Sequence, residues 1–315
     1  MLKVDNQFID LYRYTEEEQQ EQLKKWHQDR TYIECLCLKT NGYYPLLAVK
    51  RSSKGNYHLF NLPRNTKNRW EHADDCPYNR HLQDFLKRIG INIDYEGKYS
   101  LKTDKQDKQK IEQQLKFLSY AILQKYEVHR YVPNQKRELH KRLYKACCEV
   151  NINDYELSKH VYIANPNYKY NFNDHMLVIG LTDLTKVIYK KGQVELPIYS
   201  LKDKDNRKKI ASINVFNKIF FEEKLDRRIM EQGIFFLWRF PDQNKIFRDY
   251  KIIFIPCEPK SIIPAFSKEE ADKIKHLINN NVVFRKPLIM PRGFHKQIIY
   301  EEKMKGGNYY VRQPL

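Results

Sequence analysis

Two short pairs of metal-ligand residues, separated by 34 residues, constrain the fold of this sequence more than any other feature. Cys35 and Cys37 lie in a strand-like run, and His72 and Cys76 follow four positions apart. Residues two apart on a strand point to one side, and residues four apart meet on a helical turn or a tight knuckle. Three thiolates and one imidazole fill the tetrahedral shell of zinc and leave no position for water. The sequence therefore predicts one structural zinc ion.

Two other interpretations of these residues stay open. Cysteines are often buried without a metal, so the three thiols and a chance histidine could simply belong to a core. His58 or His81 could replace His72 as the fourth ligand, although neither has a partner at knuckle spacing. Among the other cysteines, Cys147 lies in the apolar stripe of a predicted helix and Cys257 ends an apolar strand, so both are predicted to be core residues.

The charge of the chain favours an anionic partner. Lys and Arg number 57 against 39 Asp and Glu, which gives a formal net charge of +18 spread along the sequence. A positive field of this kind attracts polyanions, of which nucleic acid is the commonest, with an anionic membrane surface second. No apolar run approaches the length needed to cross a bilayer, and Met1–Asp10 has no signal-peptide pattern. We therefore expect a cytoplasmic protein with reduced thiols and no membrane association.

Hydrophobic periodicity predicts an α+β fold in three parts. Residues 1–101 form a zinc-binding, β-rich domain, residues 102–150 a pair of helices, and residues 151–315 a mixed α/β domain. The helices are predicted at Glu16–Gln28, after the capping box of Thr15 and Glu18, at Arg80–Ile89, around Ile111–Ile122, at about Gln135–Val150 and at Lys268–Leu277. The strands are predicted at Tyr32–Leu38, Tyr43–Val49, Tyr57–Leu62, Met176–Leu181, Phe235–Phe240, Ile252–Pro256 and Val282–Phe284.

Two basic surfaces are candidates for contact with nucleic acid. The first lies in the zinc region, where cations alternate with aromatic residues that could stack on bases. The second is a stripe at four-residue steps on the second helix of the pair, with Leu139 and Leu143 on another face. An ordinary solvated surface is the competing interpretation of both. The candidate residues are Arg64, Lys67, Arg69, Trp70 and Arg80 in the first surface and Arg137, Lys141 and Lys145 in the second.

Several short motifs resemble an uncharacterised bacterial domain family found on integrative conjugative elements. In the zinc region these are Cys35-Leu36-Cys37, the turn Asn61-Leu62-Pro63, and His72 to Cys76-Pro77. Later patches are His160–Pro166 and Phe284-Arg285-Lys286-Pro287-Leu288, which is similar to the family's Phe-x-Lys-Pro-Leu. The resemblance implies a zinc-stabilised protein of a bacterial mobile element.

The same resemblance raises a nuclease as an alternative function. In such proteins the Lys-Pro-Leu strand leads to a Pro-Asp strand and to acids like those of restriction-endonuclease-like nucleases. This chain continues differently, and its late carboxylates are Glu301 and Glu302. A nuclease site would require Asp174, Asp183, Glu195 or Glu301 to converge on Mg²⁺.

The preferred function is a nucleic-acid-binding protein, with DNA as the expected partner, that has no catalysis of its own. A metal-dependent or degenerate nuclease is the alternative. A zinc-stabilised scaffold that binds another protein is the third possibility. A positive face without clustered acids would favour the first of these, and a flat apolar patch the third.

Overall fold

The chain forms two compact units with mixed helix and strand content, which confirms the α+β class. Met1–Ser100 make up most of unit 1 and Leu101–Ile289 most of unit 2, so the boundary falls inside a short strand. The computed structural model describes residues 2–9, 11, 14–37, 43–53, 55–62, 72, 76, 78–94, 98–103, 107–127, 130–133, 138–165, 175–201, 209–222, 231–258, 261–286, 288, 299–303 and 309–312.

Unit 1 is built on an antiparallel sheet with the strand order β2-β1-β3-β4-β5. The first hairpin, β1 and β2, was not predicted, because its two strands have only three residues each. The elements are β1 (Leu2–Val4), β2 (Gln7–Ile9), α1 (Glu16–Gln28), β3 (Ile33–Cys35), β4 (Leu46–Arg51), β5 (Tyr57–Asn61), α2 (Arg80–Ile89), β6 (Ile91–Ile93) and β7 (Tyr99–Leu101).

The predicted capping box begins α1. The Glu18 amide donates to Thr15 Oγ1 at 3.3 Å, and the Thr15 amide donates to Glu18 Oε2 at 2.7 Å. Helix α1 also contacts the edge strand β5. The Gln20 side chain donates to the Tyr57 carbonyl at 3.1 Å and accepts from the Tyr57 amide at 2.8 Å. These two bonds satisfy backbone groups of the edge strand β5, which would otherwise be available to another chain.

The core of unit 1 lies between α1 and the sheet. Apolar side chains alternate along the strands, so one face of each strand is buried. Two of the predicted metal ligands belong to the same cluster, which places the metal site at the border of the core. The buried members are Leu2, Val4, Leu23, Trp26, Ile33, Cys35, Leu47, Val49, Leu59 and Cys76.

Unit 2 contains the larger set of elements. They are α3 (Lys108–Gln124), β8 (Arg130–Tyr131), α4 (Leu139–Cys147), β9 (Val150–Ile152), β10 (Tyr155–Glu156), β11 (Val161–Ile163), β12 (Leu177–Asp183), β13 (Ile188–Lys190), β14 (Gln193–Tyr199), β15 (Lys209–Phe216), α5 (Asn217–Glu222), β16 (Gln232–Pro241), β17 (Phe247–Pro256), α6 (Lys268–Asn279), β18 (Phe284–Arg285), β19 (Ile299–Lys303) and β20 (Tyr309–Arg312).

A seven-stranded sheet organises unit 2. Its main path runs β13-β14-β12-β16-β17, with β15 beside β14 and β11 parallel to β12. Strand β12 is buried along its whole length, which explains why its first five residues, Leu177–Leu181, are a continuous apolar run instead of an alternating one. Gly233 on β16 lies so close to β17 that a Cβ atom would come within 2.5 Å of the Ile255 carbonyl oxygen. A small antiparallel sheet, β20-β19-β18-β8, forms separately within the unit.

The second helix of the predicted pair is shorter than expected. The prediction was about Gln135–Val150, whereas α4 spans Leu139–Cys147. Glu138 has a φ of +44°, a left-handed conformation that a helix cannot include, and it stands directly before the first turn. At the other end Val150 begins β9, because its side chain is buried in an alternating strand pattern. Leu139, Leu143 and Cys147 are buried, as their spacing predicted.

A buried ion pair explains the Phe-x-Lys-Pro-Leu patch. Lys286 is fully buried and pairs with Glu270 on α6, and its ammonium lies 5.6 Å from the centroid of the Phe266 ring. The Leu288 amide donates to the Gln124 side chain at the end of α3 at 2.7 Å. This segment therefore links α6 and α3 within unit 2, a structural role.

None of the described helices is long and apolar enough to cross a membrane.

One hydrogen-bond chain inside unit 2 yields a stability prediction. The indole N–H of Trp238 on β16 donates to Ser119 Oγ at 2.9 Å, and Ser119 Oγ donates to the Leu115 carbonyl at 2.9 Å. Both side chains are fully buried. We expect Ser119→Ala to lower the free energy of unfolding by about 1–3 kcal/mol, because it leaves a buried N–H unpaired. Gln113→Ala, on the exposed side of α3, should change it by less than about 0.5 kcal/mol in the same urea titration. Equal effects would contradict this role of Ser119.

Candidate metal centre

Four side chains from two separate stretches of unit 1 meet at the end of β3. Cys35 is the last residue of β3, Cys37 follows in a turn, and His72 and Cys76 precede α2. Their ligand atoms all lie within 4.8 Å of one another. Within the described residues, no other group of three or more His, Cys, Asp or Glu side chains comes this close. The group is therefore able to bind a metal ion, and it contains His72, not His58.

The distances between donor atoms fit a tetrahedral shell. The Sγ atoms of Cys35 and Cys76 are 3.8 Å apart, and His72 Nδ1 lies 3.4 Å from the sulfurs of both Cys37 and Cys76. A tetrahedron with metal–sulfur bonds of about 2.3 Å and metal–nitrogen bonds of about 2.0–2.1 Å has S···S edges of about 3.8 Å and S···N edges of about 3.6 Å. The sulfurs are too far apart for a disulfide, and all six cysteines are free.

The expectation that both cysteines lie within a regular strand is wrong. The strand was predicted to span Tyr32–Leu38, whereas β3 ends at Cys35 and the chain turns at Leu36 and Cys37. Cys35 still pairs with Leu2 of β1, and its amide donates to the Pro45 carbonyl at 2.8 Å. The turn brings the Cys37 sulfur close to His72. A strand that continued straight beyond Cys35 would carry Cys37 away from the site.

Most of the metal site is buried. Cys35, His72 and Cys76 are each at most 5% exposed, and Cys37 is half-buried. The Nδ1 atom of His72 faces the sulfurs, which makes it the ligand atom, and its buried Nε2 atom has no hydrogen-bond partner among the described residues. Three thiols and one imidazole complete a four-ligand shell, so a bound metal has no open position for substrate. Such a shell is able to serve a structural role.

Asn79 fixes the second ligand pair, and the sequence interpretation missed it. Its side-chain amide donates to the His72 carbonyl at 3.0 Å, and its Oδ1 accepts from the Leu82 amide at 3.3 Å in the first turn of α2. The backbone N–H of Asn79 donates to the Cys76 carbonyl at 2.8 Å, which closes a turn between the ligand Cys76 and α2. An asparagine directly before a helix is a recognised N-cap signal, and this signal could have identified the residue.

The ionisation of the thiols depends on their neighbours. The Cys37 and Cys76 thiols hydrogen-bond the Cys35 sulfur and, with His72, hold the pKa of Cys35 far below its usual range. The hydrogen bond to Cys35, another to Cys37 and burial all raise the pKa of Cys76. Without a metal, the cluster therefore favours one thiolate supported by protonated neighbours. A cation among the sulfurs reverses the repulsion and allows all three to ionise.

Among the residues predicted to contact nucleic acid, Lys141 and Lys145 have described side chains. Lys141 and Lys145 are exposed on α4, and Lys141 pairs with Glu138 at 2.8 Å. Arg80 begins α2, but its side chain lies outside the described residues. The remaining candidates for nucleic-acid contact, which are Arg64, Lys67, Arg69, Trp70 and Arg137, also lie outside the described residues.

The acids considered for a nuclease have local partners where they are described. Asp183 accepts from the Thr185 amide and hydroxyl at the end of β12, and hydrogen bonds from Thr185 and Gln232 lower its pKa against the opposing effect of burial. Glu195 on β14 pairs with Lys190 at 2.5 Å. Glu301 lies on β19, and its side chain and all of Asp174 fall outside the described residues.

Comparison with known proteins concerns the metal-bearing segment. A family model described as a domain of unknown function, DUF8534, matches residues 11–83, and this range contains all four metal ligands and Asn79. Neither the curated proteins nor the solved structures include a significant match to the chain. The two later motif patches, around His160–Pro166 and Phe284–Leu288, lie outside the matched residues.

The role of Asn79 gives a prediction for metal affinity. We expect Asn79→Ala to weaken binding of Co²⁺, used as a spectroscopic probe, by about 10- to 100-fold, because hydrogen bonds that position metal ligands have effects of this size. Gln83→Ala, on the exposed side of α2, is the matched control and should bind like the wild type. Titration followed by the absorption of tetrahedral Co²⁺ measures both. Unchanged affinity of Asn79→Ala would show that the His72 backbone is held by other contacts.

Proposed function

We propose that the metal in unit 1 is zinc and that its role is structural. Three sulfur ligands with one nitrogen suit zinc better than the hard cations Mg²⁺ or Ca²⁺, which prefer oxygen. The donor spacing supports this choice, since its S···S distance of 3.8 Å equals the edge of a zinc–thiolate tetrahedron. Such sites stabilise small domains by roughly 10 kcal/mol or more. The thiols must stay reduced to bind the metal, which is consistent with a cytoplasmic location.

The whole chain is proposed to bind nucleic acid, with DNA as the expected partner. The observation that carries this proposal is the net charge of +18 over 315 residues. Phosphate backbones are the commonest polyanions in a cell, and a distributed positive charge attracts them without a dedicated pocket. The closed metal shell supports a binding role, because a four-ligand zinc site performs no chemistry. A mobile-element setting rests on the family resemblance alone.

Helix α4 provides a described surface for phosphate contact. Lys141 and Lys145 are four residues apart and both exposed, while Leu139, Leu143 and Cys147 anchor the opposite side in the core. Lys145 forms no ion pair with any described residue, so its charge is available to a phosphate. The zinc region is the second proposed contact surface, through Arg64, Lys67, Arg69, Trp70 and Arg80.

Zinc content and thiol accessibility test the metal proposal together. We expect purified protein to contain about one zinc per chain. A thiol reagent should modify exposed Cys148 quickly and spare buried Cys147, whose pKa is strongly raised by burial. Removal of zinc with a chelator should expose three further thiols, those of Cys35, Cys37 and Cys76.

A variant and its control complete this test. Cys76→Ser should lose the zinc and unfold unit 1 at lower temperature, whereas Cys148→Ser should keep both. Plasma emission spectrometry and mass spectrometry of the labelled protein provide the measurements. Folded wild-type protein that contains no metal, with the three thiols already reactive, would contradict the proposal.

Salt dependence tests nucleic-acid binding. The logarithm of the affinity should fall linearly with the logarithm of the salt concentration, with a slope of about −0.7 to −0.9 per phosphate contacted, because each contact releases counterions. Lys141→Glu with Lys145→Glu should reduce both affinity and slope if α4 contacts the backbone, and Arg64→Glu with Arg69→Glu should do so if the zinc region does. Fluorescence anisotropy with labelled duplex and single-stranded DNA measures both.

A matched reversal separates specific contact from net charge. Lys24→Glu with Lys25→Glu changes the charge equally on the exposed side of α1, and we expect a smaller loss of affinity. Circular dichroism melts check that the variants fold. Absence of binding to any DNA or RNA at low salt would refute the proposed function and favour a protein scaffold.

A further inference from the structure

Two large aromatic side chains are exposed side by side on unit 2. Tyr189 on edge strand β13 is 48% exposed, and Phe221 on α5 is 58% exposed. Their rings are parallel within 7°, with centroids 6.1 Å apart. The ring of buried Phe220 packs edge-on against both, at 6.2 and 5.5 Å. We call Tyr189 and Phe221 together the aromatic platform.

The fold holds the platform in place from beneath. Phe220 belongs to the main apolar cluster of unit 2 and is 3% exposed. The Asn217 amide at the start of α5 donates to the Gly192 carbonyl in the β13–β14 turn at 3.1 Å, so the helix is tied to the hairpin that carries Tyr189. Gly192 has a φ of +79°, which the tight turn requires. Rings held in this way lose little conformational freedom when a ligand stacks on them.

Positive charge surrounds the platform. The two segments that form it, residues 184–193 and 209–222, contain five lysines and one acidic residue, Glu222 at the end of α5. Lys191 lies in the turn next to Gly192, and Lys218 lies three residues before Phe221 on α5. Within the described part of the chain, neither lysine forms an ion pair. Lys190 is paired with Glu195, so its charge is partly neutralised.

We propose that the aromatic platform with Lys191 and Lys218 is a binding site for single-stranded nucleic acid. Parallel rings offer flat faces on which successive bases can stack, and the lysines contact the phosphates. A duplex does not fit this chemistry, because its bases are already stacked inside. Lysine is depleted at protein–protein interfaces, and lysines at an edge strand oppose strand addition by another chain. The site deepens the proposed function and rests on it.

Paired oligonucleotides separate stacking from charge. The probes are fluorescein-labelled oligothymidylate of about 20 nucleotides and an abasic strand of the same length, which has the phosphates but no bases. Tyr189→Ala with Phe221→Ala should weaken oligothymidylate binding about ten-fold or more and change abasic-strand binding by less than about two-fold. Lys191→Gln with Lys218→Gln should weaken binding of both strands.

Two further variants keep the test interpretable. Tyr189→Phe with Phe221→Tyr retains both rings and should bind like the wild type. Retained binding of the abasic strand by Tyr189→Ala with Phe221→Ala excludes loss through misfolding. Tyr14→Ala with Phe8→Ala removes one exposed tyrosine and one exposed phenylalanine elsewhere, in unit 1, and should also bind like the wild type.

The outcomes distinguish this site from the general function. If the wild type binds oligothymidylate and Tyr189→Ala with Phe221→Ala binds equally well, the platform is refuted while nucleic-acid binding stands. Equal losses on the oligothymidylate and abasic strands would also refute stacking. If the wild type binds no nucleic acid at all, the proposed function fails and the platform with it.

Discussion

The meeting of three sulfurs and one imidazole nitrogen at the end of β3 is the constraint on which unit 1 depends. The four ligand atoms come from stretches 34 residues apart and lie within 4.8 Å of one another. Without a cation, neighbouring thiolates disfavour one another, so the pKa of Cys35 is lowered while the pKa of Cys76 is raised. With a cation, the same crowding becomes a cross-link between β3 and the turn before α2. Asn79 continues this link, since it hydrogen-bonds both the His72 carbonyl and the first turn of α2.

Unit 2 has a different source of stability. Its central strands β12 and β16 are almost entirely buried, so apolar burial dominates, and several of the polar side chains inside are paired. Trp238 reaches α3 through Ser119, Arg239 pairs with Asp249 at 2.9 Å, and Lys286 pairs with Glu270. Burial raises the pKa of Asp249, and the neighbouring Arg239 opposes this shift.

The two units suggest a division of tasks in the proposed function. Unit 1 supplies a metal-stabilised module with a closed shell, and unit 2 supplies the described exposed cations of α4 and the aromatic platform. These surfaces use the two parts of nucleic acid that are independent of sequence, the phosphates and the faces of the bases. A protein built in this way would bind with little base specificity and with a strong dependence on salt.

Local patterns in the sequence predicted much of this architecture. The capping box of Thr15 predicted α1, and the apolar spacing predicted α3 and the buried side of α4. The ligand residue types predicted the metal site. These features could be predicted because each depends on residues within a few positions of one another. The hairpin β1–β2 and the role of Asn79 are local features that the sequence interpretation missed. The end of β3 at Cys35 and the approach of Cys37 to His72 depended on contacts between distant segments. The pairing of Lys286 with Glu270 and the parallel rings of Tyr189 and Phe221 were decided in the same way, because tertiary packing alone brings together residues that are 16 and 32 positions apart.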